Sequence, residues 1–124
     1  MEGKSLLFKL LGDVDVIPYC INPSSEAEEI DIISQTVGNY MAINLEDIKA
    51  PECFGVEQGL LEKKLLPIFH DDQHGTAIVT LSALINALKL SGKDISKIKI
   101  VVNGAGAAGI TIARLILAYG AKHI

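Results

Sequence analysis

Short apolar runs alternate with segments of helical periodicity along the 124 residues of this chain. Apolar runs of strand length lie at 14–21, 40–45, 65–69 and 98–102. Apolar spacings of three and four residues predict helices at 5–11, 22–37, 51–64, 75–90 and 107–119, and residues 121–124 resemble the start of a further strand. This alternation predicts an α/β fold in which helices cover parallel sheets.

Side-chain chemistry marks the expected helix ends and the buried positions. Asn22 and Pro23 suit a helix start, and Ser25 and Glu28 have the spacing of a capping box. Four glycine positions are expected to end helices: Gly12, Gly38, Gly92 and Gly120. Pro18 points to an edge position or a bend in the first strand. Helical spacing predicts burial of Ile30, Ile33, Val37, Phe54, Leu60 and Leu61, and the helix over 75–90 is apolar on most faces, so we expect it to be buried.

Composition excludes several classes of protein. With 15 acidic and 11 basic residues the net charge is −4, and the scattered basic residues argue against nucleic-acid binding. The longest apolar segment, 77–90, is too short and too polar to span a membrane. A hydrophobic content of 49% argues against disorder. Cys20 and Cys53 lack metal-ligand spacing, and we interpret them as free thiols of a cytoplasmic protein.

A glycine-rich turn follows the apolar run at 98–102. Gly104 allows a tight turn, Gly106 lets the backbone approach a pyrophosphate, and Gly109 lets the next helix pack closely on the strand. The phosphates would lie at the positive end of that helix, near Ala107 and Ala108. The alternative is a tight strand-to-helix turn without a ligand. The acidic residue that would distinguish NAD from NADP falls beyond Ile124, so that choice stays open.

Two pairs of carboxylates stand where apolar runs end, Glu46-Asp47 and Asp71-Asp72. Because ligands of open α/β sheets bind beyond the carboxyl ends of strands, the pairs predict a site for Mg²⁺ or Mn²⁺. Either pair alone is more typical of helix capping. His70 and His74 offer a rival zinc site, but the strand-to-helix transition between them and the missing glutamate disfavour it.

Three motifs and the first residues resemble the bacterial malic enzyme family. The motifs are INLEDIKAPECF at 43–54, PIFHDDQHGTAIVTLSALINALKL at 67–90 and KIVVNGAGAAGI at 99–110, and MEGKSLLFK at 1–9 is similar to the family's catalytic-lysine segment. The resemblance covers essentially the whole chain, in order. It implies oxidative decarboxylation of (S)-malate to pyruvate and CO₂ with NAD or NADP and Mg²⁺ or Mn²⁺.

The resemblance also implies roles for individual residues. Glu46, Asp47 and Asp72 match the metal ligands, and Asp71 matches an active-site aspartate beside the metal. Lys4 matches the general base, a role for which its pKa must be lowered. The residues that match the cofactor turn are Gly104, Gly106, Ala107, Ala108 and Gly109. From the sequence alone, without the resemblance, we would interpret Lys4 as an exposed surface lysine.

The domain organisation implied is that of an internal piece of such an enzyme. Residues 1–74 would be the C-terminal part of the catalytic domain, 75–92 a connecting helix and 93–124 the start of a Rossmann-like cofactor domain. Tyr19, Tyr40 and Tyr119 do not match the family's proton-donating tyrosine motif, so we expect the isolated chain to be catalytically incomplete. Alternatives are a malolactic-type enzyme, and a non-catalytic module that binds metal or nucleotide or self-associates as a homo-oligomer. An amino-acid-dehydrogenase-like or methylene-tetrahydrofolate-dehydrogenase-like domain pair is disfavoured by the LED and HDDQHGTA strings.

Overall fold

The computed structural model describes all 124 residues and contains five α-helices and two short strands. In chain order they are α1 (Glu2–Gly12), α2 (Glu26–Thr36), β1 (Ile43–Leu45), α3 (Glu52–Lys63), β2 (Ile68–His70), α4 (Thr76–Ser91) and α5 (Ala107–Tyr119). A 3₁₀ turn (Val37–Asn39) follows α2, and a π-helical turn (Asp71–Gly75) joins β2 to α4. All five helices expected from the sequence are therefore present. No helix is long and apolar enough to cross a bilayer.

The two strands pair in parallel, which confirms the α/β fold class. Ile43 stands opposite Ile68, and Leu45 stands opposite His70. Beneath this pair lies a small core of Leu45, Val56 and Leu60, and five partly buried residues pack against it: Ile30, Ile33, Ile43, Ile48 and Ile68. Because parallel strands end at the same edge, this core fixes the relative position of the residues that follow β1 and β2.

The buried face of α3 differs in part from the one expected. Cys53, Val56, Glu57 and Leu60 are buried, at helical spacings of three and four. Leu61 was expected to be buried but is 45% exposed, because it follows Leu60 by one residue and so points away from this stripe. Among the other residues expected inside, Val37 is buried and Ile30, Ile33 and Phe54 are half-buried.

Two of the expected strands do not form as predicted. Residues 14–21 form no strand, and Val14, Ile17 and Tyr19 are exposed. Residues 98–102 make only a parallel bridge between Lys99 and His123, and Val101 is 81% exposed. A strand needs a neighbouring strand for its main-chain hydrogen bonds. The first run has no such neighbour, and the second has only the short segment at the end of the chain.

The expectation that the long helix is buried is wrong. Ala77 is the one buried residue of α4, while Val79 is 65% and Leu90 is 91% exposed. The helix packs against α5 and the π-helical turn on one side and leaves its other apolar side chains uncovered. Helix α1 has no buried residue at all. Uncovered apolar faces of this extent are typical of surfaces that contact further protein.

The helix ends follow the expected chemistry with small shifts. Ser25 caps α2 by accepting a hydrogen bond from the Glu28 N–H, so the helix begins after Asn22 and Pro23 rather than at them. The Glu28 carboxylate accepts from the N–H of Ser24, one residue earlier than in a regular capping box. Gly92 and Gly120 end α4 and α5 at positive φ, as predicted. Helix α1 ends instead at Asp13, which takes the left-handed conformation next to Gly12.

Candidate active site

Three carboxylates meet at the carboxyl ends of β1 and β2. Glu46 and Asp47 directly follow β1, and Asp72 lies in the π-helical turn after β2. One oxygen from each residue lies within 4.8 Å of one from each of the others. The parallel ladder brings together residues that stand 25 positions apart in sequence, as the sequence motifs predicted. An all-oxygen set of this size fits a hard divalent cation such as Mg²⁺ or Mn²⁺.

Main-chain geometry helps to hold this cluster together. Asp47 has a φ of 60°, and its N–H donates a hydrogen bond of 3.0 Å to Oδ2 of Asp72. Aspartate is one of the few non-glycine residues that tolerate left-handed φ. On the other side, Asn44 Nδ2 donates to Oε2 of Glu46 at 3.2 Å. The main-chain N–H of Asp47 therefore orients Asp72, and the side-chain amide of Asn44 orients Glu46.

Lys4 reaches this cluster from helix α1. Its Nζ lies 2.7 Å from Oδ2 of Asp71 and 3.1 Å from Oε2 of Glu46. The structure thus brings together four acidic residues and the lysine that the sequence alone gave no reason to single out. The hydrogen bonds to Asp71 and then Glu46 raise the pKa of Lys4. This direction is opposite to the lowered pKa expected for a base, because two carboxylates stabilise the ammonium form and the side chain is one-third exposed.

The glycine turn has the shape expected for a phosphate site. Gly104 has a φ of 121°, and a Cβ on Gly109 would overlap the carbonyl oxygen of Gly104, so both positions require glycine. A Cβ on Gly106 would meet nothing within 4 Å, which leaves that side of the turn open to a ligand. The first intrahelical bond of α5 runs from the N–H of Ile110 to the carbonyl of Gly106.

The residues between those two positions present their main-chain N–H groups at the start of α5. These are the three remaining cofactor candidates, Ala107, Ala108 and Gly109. N–H groups of a first helical turn have no partner within the helix, and the helix dipole is positive there. The open turn and these donors fit the pyrophosphate of a dinucleotide. The acidic cluster and the glycine turn thus supply two different kinds of binding group.

The rival histidine pair does not assemble into a metal site. His70 is fully buried, and neither ring nitrogen has a hydrogen-bond partner. His74 turns instead to α3, where its Nε2 lies 2.6 Å from Oε1 of Glu57. Neither histidine belongs to the acidic cluster. The strand-to-helix transition at 70–75 separates the two rings, as its position in the sequence suggested.

Comparison with known proteins finds malic enzymes among the relatives of this chain. Residues 73–123 match the family described as malic enzyme, NAD binding domain. All 124 residues align with the bifunctional malic/malolactic enzyme of Bacillus subtilis at 49% identity, covering 30% of that protein. Over its whole length the chain is similar to malic enzymes. It spans less than a third of the length of this relative.

Other malic enzymes give the same result. The NADP-dependent malic enzyme of Haemophilus influenzae is 46% identical over 123 residues, which are 99% of this chain and 16% of that protein. The crystal structure of the NAD-dependent malic enzyme of Thermotoga maritima superposes with a TM-score of 0.94 and 48% identity over 98% of this chain and 32% of that one. The fold class predicted from the sequence is thereby confirmed.

Three polar residues of the candidate site were missed from the sequence. Asn44 orients Glu46, Glu57 pairs with His74, and Gln73 is 2% exposed next to Asp72. Glu57 falls on the apolar stripe of α3 and Asn44 lies within an apolar strand, so both break a hydrophobic pattern. A polar residue at an otherwise buried position was the available signal. Gln73 gave no such signal, because it lies in a polar stretch between two acidic residues and a histidine.

Proposed function

We propose that the protein containing this chain catalyses oxidative decarboxylation of (S)-malate to pyruvate and CO₂, with NAD or NADP as the hydride acceptor and Mg²⁺ or Mn²⁺ as the metal. The observation that carries the proposal is that Lys4 contacts both Asp71 and Glu46, and Glu46 belongs to the acidic cluster. Lys4 and Asp71 are 67 positions apart, so local sequence does not explain their contact. The family match supports the same reaction.

Glu46, Asp47 and Asp72 are the residues that would hold the cation. When bound, such a cation supplies a Lewis acid that polarises an oxygen of the substrate. The protein's own contribution is to fix the three ligands before the substrate arrives. The hydrogen bond from the Asp47 N–H and the one from Asn44 do this for Asp72 and Glu46. Ligands held in this way lose little conformational freedom on binding.

Lys4 is the proposed general base for the malate hydroxyl. In that role it must first lose the proton that Asp71 and Glu46 stabilise, and a cation bound at the acidic cluster would favour this loss. The hydrogen bond to Asp71 fixes Nζ, the atom through which the hydroxyl proton would pass. Asp71 is therefore proposed to orient the lysine rather than to bind the cation. Geometry of this kind is the first requirement for a proton-transfer group.

The start of α5 is the proposed site for the dinucleotide phosphates. Gly106 leaves room for the pyrophosphate, and the N–H groups of Ala107, Ala108 and Gly109 would donate to its oxygens. Relatives are named both NAD-dependent and NADP-dependent, and the described residues do not choose between the two. The division into a catalytic part at 1–74, a connecting helix at 75–92 and a cofactor part at 93–124 also stays a prediction.

Calorimetric titration with Mn²⁺ tests the cation site without requiring turnover. We expect one saturable site in the parent chain and its loss in Asp72→Asn, which removes one ligand charge and keeps the shape of the side chain. Asp94→Asn is the matched control, because Asp94 lies in the turn after α4 and outside the acidic cluster. Equal Mn²⁺ binding by Asp72→Asn and the parent would show that the ligand assignment is wrong.

A steady-state assay tests the reaction itself. The whole protein that contains this chain is given (S)-malate, Mn²⁺ and either NAD or NADP, and the reduced cofactor and pyruvate are measured together. We expect equal amounts of both products and their loss in Lys4→Met, which has a side chain of similar length without the amine. Lys9→Met is the control, because Lys9 lies on the same helix and pairs with Asp13 and Asp15 instead. If Lys4→Met retains full activity, Lys4 is not the base.

A malolactic reaction is the second candidate, because the Bacillus subtilis relative at 49% identity is named a bifunctional malic/malolactic enzyme. This reaction would convert malate to lactate and CO₂ with no net reduction of the cofactor. Analysis of the products of ¹³C-labelled malate distinguishes the two reactions. Labelled pyruvate with reduced cofactor supports the first candidate, and labelled lactate without it supports the second.

Self-association and cytoplasmic location remain predictions from the sequence. Leu10 and Leu11 of α1 are 69% and 84% exposed, and a homo-oligomer would give such side chains a place to be buried. Sedimentation velocity over a range of concentrations would detect it. A single species of monomer mass at all concentrations would argue against a homo-oligomer.

A further inference from the structure

Gln73 lies directly after the cation-binding residue Asp72, but its side chain points into the protein. It is 2% exposed, whereas Asp72 is only partly buried. Both belong to the π-helical turn that joins β2 to α4. Turns of this type insert an extra residue into a helical path and occur often at functional sites. Here the turn allows neighbouring residues to serve two different surfaces.

The amide of Gln73 bridges two helices. Its Nε2 lies 3.4 Å from the carbonyl oxygen of Cys53 in α3, and its Oε1 lies 3.4 Å from the hydroxyl of Thr111 in α5. Cys53 is fully buried and Thr111 is 9% exposed, so no water competes easily for these groups. A buried polar group that loses its partner destabilises the structure. This one side chain therefore links the π-helical turn to both α3 and α5.

Thr111 lies two residues beyond Gly109, within the first turns of α5. Because a helix is stiff over this distance, the position of Thr111 determines where the N–H groups at the start of α5 lie. We propose that Gln73 is a positioning residue that fixes the dinucleotide-binding end of α5 relative to the cation-binding carboxylates. This inference rests on the proposed function, since it assigns a purpose to the spacing of those two sites.

Paramagnetic relaxation by Mn²⁺ measures this spacing in the protein as it exists. Mn²⁺ bound at the acidic cluster broadens the amide signals of nearby residues in a ¹H–¹⁵N spectrum, and the broadening falls steeply with distance from the ion. In the parent we expect a steady, defined enhancement at Gly109 and Thr111. In Gln73→Leu we expect the enhancement at these two amides to be lost or spread over several values, while the Asp72 amide stays broadened.

Thr111→Val and Thr111→Ser form a matched pair that keeps the test valid if Gln73→Leu does not fold. Valine has the shape of threonine without the hydroxyl, whereas serine keeps the hydroxyl. The inference requires Thr111→Val to change the Mn²⁺-induced relaxation at the start of α5. It requires Thr111→Ser, which keeps the hydroxyl, to show the same pattern as the parent. A variant that merely lost stability would change signals throughout the spectrum, including those of α2 and β1.

The outcomes separate this inference from the proposed function. If Mn²⁺ broadens Asp72 equally in all chains and the α5 enhancements are also equal, Gln73 does not position α5 although the cation site is real. If Mn²⁺ leaves Asp47 and Asp72 of the parent unbroadened, the cation site is wrong and the positioning role falls with it. Altered α5 relaxation in Gln73→Leu and Thr111→Val, with the parent pattern in Thr111→Ser, supports the proposal.

Discussion

The candidate site has two halves: the acidic cluster of Glu46, Asp47 and Asp72 is the cation half, and the glycine turn at the start of α5 is the cofactor half. The rest of the chain supports these two halves to very different degrees. The cation half rests on two paired strands above a core in which Leu45, Val56 and Leu60 are at most 4% exposed. In the cofactor half, the segment before the glycine turn makes only one bridge, between Lys99 and His123, and Val101 within it is 81% exposed. The strands before the acidic cluster are thus paired and packed, whereas the segment before the glycine turn is not.

The difference follows from what each ligand requires. A divalent cation needs a few oxygen atoms, and adjacent strand ends can supply them within a small volume. A dinucleotide needs a crevice formed by several βα units. The described residues therefore include the three proposed cation ligands but only the proposed phosphate corner of a dinucleotide site. Substitutions should affect the two halves in different ways, and the following four experiments test this from the largest expected effect to the smallest.

Leu60→Ala should remove the support of the cation half. The side chain is 2% exposed, so its loss leaves a cavity and should lower the free energy of unfolding by about 2–5 kcal/mol. Leu61→Ala, at a residue 45% exposed, should change it by less than about 0.5 kcal/mol. Urea unfolding followed by circular dichroism measures both. Similar losses in the two variants would show that the core does not support the cation half as the burial implies.

Gly109→Ala should disrupt the cofactor half through its backbone. The added Cβ would overlap the carbonyl oxygen of Gly104, and relieving such overlap costs about 1–3 kcal/mol. Gly106→Ala has open space around its Cβ, so it should unfold at nearly the parent urea concentration. It should nevertheless weaken binding of NAD or NADP, measured by calorimetry, because the methyl group fills the ligand's place. A stable, binding-competent Gly109→Ala would contradict the turn geometry.

Asn44→Ala should weaken the cation site while sparing the fold. Its amide orients Glu46, and loss of a group that orients a metal ligand typically reduces affinity by about 10–100-fold. Asn86→Ala, in the exposed face of α4, is the control and should bind Mn²⁺ like the parent. The Kd from calorimetric titration is compared between them. Unchanged affinity for Mn²⁺ in Asn44→Ala would mean that the pairing of β1 with β2 is sufficient to position Glu46.

Glu28→Gln should remove a small dependence of stability on pH at the edge of the cation half. Hydrogen bonds from Ser24 lower the pKa of Glu28 from its ordinary value of 4.5. Because the folded pKa is the lower one, the stabilisation is present above pH 4.5 and is lost as the pH falls through the folded value. Urea midpoints from pH 7 to pH 3 measure it, with Glu62→Gln as the control. An unchanged pH profile in Glu28→Gln would show that the hydrogen bonds from Ser24 to this carboxylate do not contribute to stability.

Sequence reasoning worked best where the signal was local. The bounds of α5 and the glycines that end α4 and α5 were predicted correctly, because turn chemistry depends on a few adjacent residues. The strand ends also predicted that the two acidic pairs would lie near each other, but only the family resemblance selected Glu46, Asp47 and Asp72 from the four carboxylates. Lys4 needed the family resemblance, because its partners lie far away in sequence.

The failures share a physical cause, namely that burial depends on neighbours that periodicity does not reveal. The apolar residues of 14–21 and those on the outer side of α4 have the pattern of buried elements but are largely exposed in this chain. The raised pKa of Lys4 likewise depends on the two carboxylates that only the fold brings close. Gln73 was missed for the same reason, since both of its hydrogen-bond partners come from other helices.

The left-handed conformation of Asp47 limits which residues position 47 can accept. Its N–H, rather than its side chain, holds Asp72, so that contact survives a change of side chain as long as φ stays near 60°. Asparagine and glycine tolerate this conformation, whereas β-branched residues do not. Charge and conformation can therefore be varied independently at one position: Asp47→Asn changes only the charge, and Asp47→Val changes both. Part of the geometry of the proposed cation site is therefore encoded in the main chain, where comparisons of side chains do not detect it.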